Sequence, residues 1–162
     1  HPTAARSVEP IRTGPAARPP TRSGRSTVPS ILVDTGPLVA LLDRNDRWHR
    51  RVRSFLARYR GSLVTTWPVL TEAASLCRAD EQIALMGMVE SGALDIALQT
   101  AADAARVKWY LAKYRDRGPD LADLSLLALA DATGIDSILT IAGDFQIYRL
   151  KSGKALIDVL RR

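Results

Sequence analysis

Apolar residues recur along this chain with two alternating periods, and their order outlines the fold. Ile31, Leu32 and Val33 form a short apolar run that stops abruptly at Asp34, and Thr35-Gly36-Pro37 behind it reads as a turn opening a helix to about Asp43. From 46 to 60, Trp48, Val52, Phe55 and Tyr59 recur at spacings of four, three and four, which is one face of an amphipathic helix. Leu63 to Thr65 make a second strand. Thr66 and Pro68 open a helix to about Cys77, its proline tolerated in the first turn. A helix over 80–91 ends near Gly92, and Ala93 to Leu98 alternate as a third strand. Residues 101–116 are helical again, stopped by Gly118 and Pro119. Leu121 to Ala132 is apolar on nearly every side and predicts a buried helix. Ser137 to Ile141 is a fourth strand closing at Ala142-Gly143-Asp144, and Ala155 to Val159 a short last one. Strands alternating with helices predict a three-layer α/β fold, a central and mostly parallel sheet flanked by helices, over residues 31–162.

The first thirty residues break this texture. They hold five arginines against the single acid Glu9, six of the nine prolines and no aromatic residue, so they bury too little apolar surface to order themselves. Residues 1–30 are therefore expected to be a disordered basic tail, whether upstream sequence, a nucleic-acid-touching arm or a transit peptide. The tail carries about +4 of the net +6, which leaves the remainder of the chain nearly balanced. With 46% hydrophobic and 25% charged residues in 162, that remainder suits one ordinary domain. One cysteine, Cys77, and two histidines, His1 and His49, cannot assemble a thiolate and imidazole metal cluster, so any metal here would be held by oxygen.

In an open parallel sheet, ligands bind beyond the carboxyl ends of the strands, which directs attention to the acids there. Asp34 ends the first strand and Asp144 follows the fourth. If Pro37 is the first helical residue the cap falls on Gly36, which leaves Asp34 without a capping role. Glu72 interrupts the apolar stripe of its helix, between Val69 and Leu76, with no lysine or arginine within a turn to compensate its charge. Asp120 and Asp123 open the buried helix. One of them is explained by capping and by the helix dipole, and the other is left over. Asp34, Glu72, Asp123 and Asp144 gathered at one mouth would repel each other unless a divalent cation neutralised them, and all-oxygen donors favour Mg²⁺ or Mn²⁺.

These segments resemble a known family. Ile31-Leu32-Val33-Asp34-Thr35-Gly36, Val69-Leu70-Thr71-Glu72-Ala73, Pro119-Asp120-Leu121-Ala122-Asp123-Leu124-Ser125-Leu126 and Ile138-Leu139-Thr140 with Gly143-Asp144-Phe145 are similar, in this order and over about residues 31–150, to PIN-domain nucleases, most closely the VapC-like toxins of bacterial toxin-antitoxin pairs. The resemblance implies a cytoplasmic, Mg²⁺-dependent endoribonuclease (a hydrolase of RNA, Mn²⁺ serving as an alternative metal), commonly a homodimer, held inactive by a cognate antitoxin. It also implies that Asp34, Glu72 and Asp123 are the family's first three acids, with Asp120 belonging to the variant that carries two aspartates in that motif. Metal ligation then falls to Asp34, Asp123, Glu72 and Asp120, and catalysis to Asp34, Glu72, Asp123 and Asp144. The sequence departs from the family at the fourth acid, two residues after Thr140, where it has Ala142. Asp144 is either a displaced substitute or the second aspartate that often precedes the phenylalanine. The departure supports an alternative, a catalytically weakened module that binds RNA or antitoxin without turnover.

Seven arginines between Arg44 and Arg60 make a basic face that suits RNA phosphates or is simply solvated, and Arg106 to Arg117 add a second basic stretch. Trp67, Trp109 and Tyr110 read as packing or interface residues, and Cys77, Met86 and Met88 as filler. His49 has no acid or serine partner in its segment and is assigned no catalytic role.

Overall fold

The computed structural model describes residues 28–161, so the tail expected over 1–30 lies outside the described residues except for Val28 to Ser30. Ser30 already opens the first strand. Five strands, β1 (Ser30–Val33), β2 (Ser62–Thr65), β3 (Asp95–Ile96), β4 (Ser137–Leu139) and β5 (Ile157–Asp158), pair in parallel in the order β3-β2-β1-β4-β5. Six helices flank them: α1 (Thr35–Leu42), α2 (His49–Arg58), α3 (Trp67–Leu76), α4 (Ala79–Glu90), α5 (Ala101–Tyr114) and α6 (Leu121–Thr133). Two 3-10 turns, Arg115–Arg117 and Asp144–Gln146, were not evident in the sequence pattern.

Parallel strands require crossovers that cover both sheet faces, which is why Ile31, Leu32 and Val33 form one unbroken apolar run and are all buried. The edge strands are shorter than their apolar pattern suggests. Beyond Ile96 only Ala97 still donates to Thr65, and Leu98 is 89% exposed, having no strand or helix to pack on.

The sheet order fixes where chemistry can sit. The chain leaves β1 for β2 on one side, and after β3 it crosses over through α5 and α6 to β4 on the other. The strand order therefore reverses between β1 and β4, which opens a crevice at their carboxyl ends. Asp34 and Thr140 are the residues that follow those two strands, and the Asp34 N–H donates to the Leu139 carbonyl at 3.1 Å. Gly36 keeps this junction closed, since a Cβ there would stand 2.5 Å from Ile141 Cγ1.

The start of α1 corrects one expectation. The helix begins at Thr35, with Pro37 at its third position, so the cap is Asp34 and not Gly36. Proline is accepted there because the first turn's N–H groups have no helical acceptor to lose. On α2, Val52 is fully buried with Trp48, Phe55 and Tyr59 half-buried, while all seven arginines of the 44–60 segment are exposed. His49 is half-buried, its Nδ1 2.8 Å from the Ala40 carbonyl.

Helix α6 is the packing centre, with every residue from Ala122 to Ala130 buried, and it ends at Gly134, whose φ of 78° is the left-handed cap that glycine adopts without strain. The one hydroxyl in its middle, Ser125, is satisfied by the Ala122 carbonyl at 2.7 Å and Thr66 Oγ1 at 2.6 Å. Because Leu127 is 1% exposed in the middle of α6, Leu127→Ala is expected to lower the free energy of unfolding by about 2–5 kcal/mol. Urea denaturation checks this as a drop in midpoint at unchanged slope.

Candidate active site

Asp34 is 3% exposed, and both of its carboxylate oxygens are held. The Thr35 N–H donates to Oδ1 at 2.7 Å, and the Thr140 hydroxyl, itself 2.8 Å away across the β1/β4 junction, donates to Oδ2. Thr140 Oγ1 in turn accepts from the Ala142 N–H at 3.1 Å, which ties the loop after β4 to the same carboxylate. Burial pushes the Asp34 carboxyl up to about 6 against the pull of those two hydrogen bonds, and the charges of Glu72 and Asp120 add to the rise.

Glu72 reaches this centre from the middle of α3. Among the described residues no cation pairs with it; its Oε2 instead accepts from the Thr35 hydroxyl, which joins α3 to α1 next to Asp34. Asp120 caps α6, accepting from the Asp123 N–H at 2.7 Å, and accounts for the capping half of the pair. Asp123, one turn in, is 8% exposed. Its carboxyl rises to about 8, first through burial and then through the negative charges of Asp34, Asp120 and Asp144, with a hydrogen bond from Tyr148 opposing.

A cleft of about 370 Å³ opens over these residues, with Asp116, Asp120, Asp123, Asp144, Arg117 and Tyr148 on its walls. Asp120, Asp123 and Asp144 are thus brought to one cavity. Asp34 and Glu72 are not on its wall, but Asp34 is within electrostatic reach of Glu72, Asp120 and Asp123. Asp144 is exposed at the head of its 3-10 turn, which carries it back to the mouth, whereas Ala142 contributes only its backbone N–H.

None of the five acids is in an ion pair with lysine or arginine among the described residues. No three acid, histidine or cysteine side chains among them already stand around one metal position. The donor chemistry nonetheless fits a hard divalent cation, since buried carboxylates that repel one another are what such an ion neutralises.

Residues that the sequence reading passed over also serve the site. Thr35 and Thr140 grip Glu72 and Asp34, and Tyr148 donates from within the cleft to Asp123 Oδ2 at 3.3 Å. The signal for Thr140 was a polar residue directly after a buried strand, and for Thr35 a hydroxyl next to the acid that ends β1; for Tyr148 it was only the spacing of three from Phe145. Of the residues read as packing or interface, Tyr110 is buried, while Trp67 and Trp109 are partly exposed at the surface.

The PIN domain family model matches residues 31–151, from the first residue after the start of β1 to just beyond Tyr148. The chain belongs to the PIN domain family. Among solved structures, this PIN domain is similar to VapC20 of Mycobacterium tuberculosis, a toxin that cleaves the sarcin-ricin loop. The TM-score is 0.67 at 23% identity, over 72% of this chain and 93% of that one. It is also similar to VapBC2 of Rickettsia felis, solved bound to a DNA fragment of its promoter, with a TM-score of 0.53 at 15% identity over 73% and 92% of the two chains. These likenesses show the fold. Comparison with curated proteins found no significant match.

Proposed function

We propose that this PIN domain is a VapC-like toxin, a metal-dependent endoribonuclease that hydrolyses RNA phosphodiester bonds and is neutralised by a cognate antitoxin. The observation that carries the reading is the pair of buried carboxylates, Asp34 at the point where the strand order reverses and Asp123 within electrostatic reach of it, with no ion pair to compensate either among the described residues. Removing two such ions from water costs several kcal/mol each unless a counter-charge arrives with the ligand. Family membership and the likeness to VapC20 and VapBC2 support the substrate class and the antitoxin partner.

Asp34 and Asp123 would hold the metal, Mg²⁺ or Mn²⁺, with Glu72 completing the site or orienting the attacking water and Asp120 and Asp144 in supporting positions. When bound, the metal supplies Lewis acidity for the scissile phosphate and lowers the pKa of the attacking water. The chain's own residues do the rest. Thr35 and Thr140 keep Asp34 in one rotamer, and Thr35 does the same for Glu72. Arg117 on the cleft wall and the exposed arginines of α2 offset the repulsion between the carboxylates and a polyanion. A homodimer acting in the cytoplasm belongs to the same proposal.

The second reading, a PIN module that binds RNA or antitoxin with little turnover, is favoured by one observation, the methyl group of Ala142 where a fourth carboxylate would stand. Purified protein incubated with a structured RNA pool separates the two. Cleavage is expected with Mg²⁺ or Mn²⁺ and not with EDTA, and Ala142→Asp is expected to raise the rate by about 10-fold or more, the usual worth of a well-placed group around a catalytic metal. Wild type and Ala142→Asp both inert at every metal concentration, while both still bind RNA, would put the binding module in place of the nuclease.

A further inference from the structure

Phe145 and Tyr148 are three residues apart across the 3-10 turn, a spacing that brings their side chains to the same side, and both are buried. The Tyr148 ring meets Tyr114 of α5 edge-on at 4.9 Å and Phe145 edge-on at 5.6 Å. The Tyr114 hydroxyl accepts from the Arg149 N–H at 2.7 Å and so ties down the backbone next to Tyr148. Ring packing on two sides and a fixed backbone leave the phenol one place for its hydroxyl, and that place is the cleft wall beside Asp123 Oδ2.

Asp34 and Asp123 are held differently. Asp34 accepts from two donors, a backbone N–H and a threonine hydroxyl. Asp123 accepts from Tyr148 alone among the described residues, and only through Oδ2, which leaves Oδ1 without a donor. Its acidic neighbours Asp34, Asp120 and Asp144 repel an ionised carboxylate, so without an anchor it would turn from the position the fold gives it. The separation of 3.3 Å is long for a hydroxyl donor, as in sites whose contacts tighten only once the ligand is in place.

The geometry points to Tyr148 as a positioning residue: its hydroxyl holds Asp123 Oδ2 so that Oδ1 stays presented to a divalent cation in the cleft. This deepens the nuclease reading and rests on it. Groups that orient a metal ligand from behind are worth about 10–100-fold in metal affinity or activity when removed. Tyr114 and Phe145 act one step further out, by fixing the ring.

The test is Mn²⁺ binding followed by electron paramagnetic resonance, with single-turnover RNA cleavage as a second readout. Wild type, Tyr148→Phe, Tyr110→Phe and Asp34→Asn are compared, each checked for its melting temperature. Tyr148→Phe keeps the ring and loses only the hydroxyl. It is expected to bind Mn²⁺ about 10-fold more weakly, with a cleavage rate that recovers as Mn²⁺ is raised and an unchanged KM for RNA. Tyr110 donates to Asp131 at 2.6 Å outside the cleft, so Tyr110→Phe also loses a tyrosine–aspartate hydrogen bond, a part-buried one, and should leave Mn²⁺ affinity as in wild type. Equal Mn²⁺ affinity in Tyr148→Phe and wild type, with Asp34→Asn not binding, would overturn the role of Tyr148 and leave the nuclease reading standing. An equal loss in Tyr110→Phe would overturn it as well, by marking the effect as general destabilisation. A wild type that binds no Mn²⁺ and cleaves nothing would sink the nuclease reading and the role of Tyr148 with it.

Discussion

Asp34→Asn is expected to reduce metal-dependent RNA cleavage by more than the ~10–100-fold that follows loss of an outer partner of a metal ligand. The reason is local. Asp34 stands at the junction of β1 and β4 with each oxygen already gripped, by the Thr35 N–H and by the Thr140 hydroxyl. Asparagine has the same shape. Its oxygen can still accept from Thr35, and its amide can donate to Thr140 Oγ1 once that hydroxyl turns, so the fold is expected to persist. What disappears is the negative charge. Burial already holds the Asp34 carboxyl near 6, so a neutral group in its place removes a desolvation cost, and the melting temperature should stay level or rise. Activity lost at undiminished stability is a result that a merely structural aspartate would not give. It is read by single-turnover cleavage in saturating Mg²⁺ beside thermal denaturation of the same samples. Wild-type cleavage by the asparagine variant would remove Asp34 from the chemistry.

In the metal-free protein, Asp123→Asn should stabilise the fold, and by an amount that grows with pH. The folded carboxyl lies near 8, against about 3.9 in an unfolded chain. Its pKa is raised on folding, so the folded state binds the proton more tightly than the unfolded state. The sign follows: stability is fully present below about pH 4 and is lost as pH rises towards 8. Asp34 adds to the same loss between about 4 and 6. Asparagine removes the Asp123 part of this slope. At pH 8 the variant is expected to be more stable by on the order of a few kcal/mol, reduced by water screening on the cleft side, which is about 5–10 °C in melting temperature for a domain of this size. At pH 4.5 the two proteins should melt together. Added Mg²⁺ should raise the melting temperature of the wild type at pH 8 and not that of Asp123→Asn. Parallel melting curves across pH 4.5–8.5 would show that Asp123 is not desolvated as its burial indicates.

The two predictions share a physical basis. A site that holds uncompensated carboxylates away from water is unstable by itself and is relieved by its ligand, and α6 tolerates Asp123 because Leu124, Leu126 and Leu127 around it are wholly buried. On the proposed reading, function is placed at the expense of stability, on a helix whose residues from Ala122 to Ala130 are all buried.

Much of this was legible in the residues. The period of apolar positions determined five strands and six helices in their order, because each element must bury one face or one run, and a parallel sheet demands unbroken apolar strands such as Ile31 to Val33. It also marked Leu121 to Ala132 as a buried helix, and Asp123 in the first turn of that helix is 8% exposed. Acids at the strand and helix ends and the absence of a usable cysteine or histidine cluster determined that any metal would be met by oxygen.

The tertiary structure alone decided the rest. Whether Asp34 capped α1 depended on where the helix began, and a proline fits three positions of a first turn equally well. The reversal of strand order between β1 and β4 is a property of how the crossovers pack, and it is what makes Asp34 and Thr140 neighbours although 106 residues separate them. The return of Asp144 to the mouth, and the meeting of Tyr148 with Asp123, depend on a 3-10 turn that three residues of sequence do not announce. Periodicity reports which side of an element is buried; what a buried polar atom touches is settled by contacts between elements, and those arise only when the layers close.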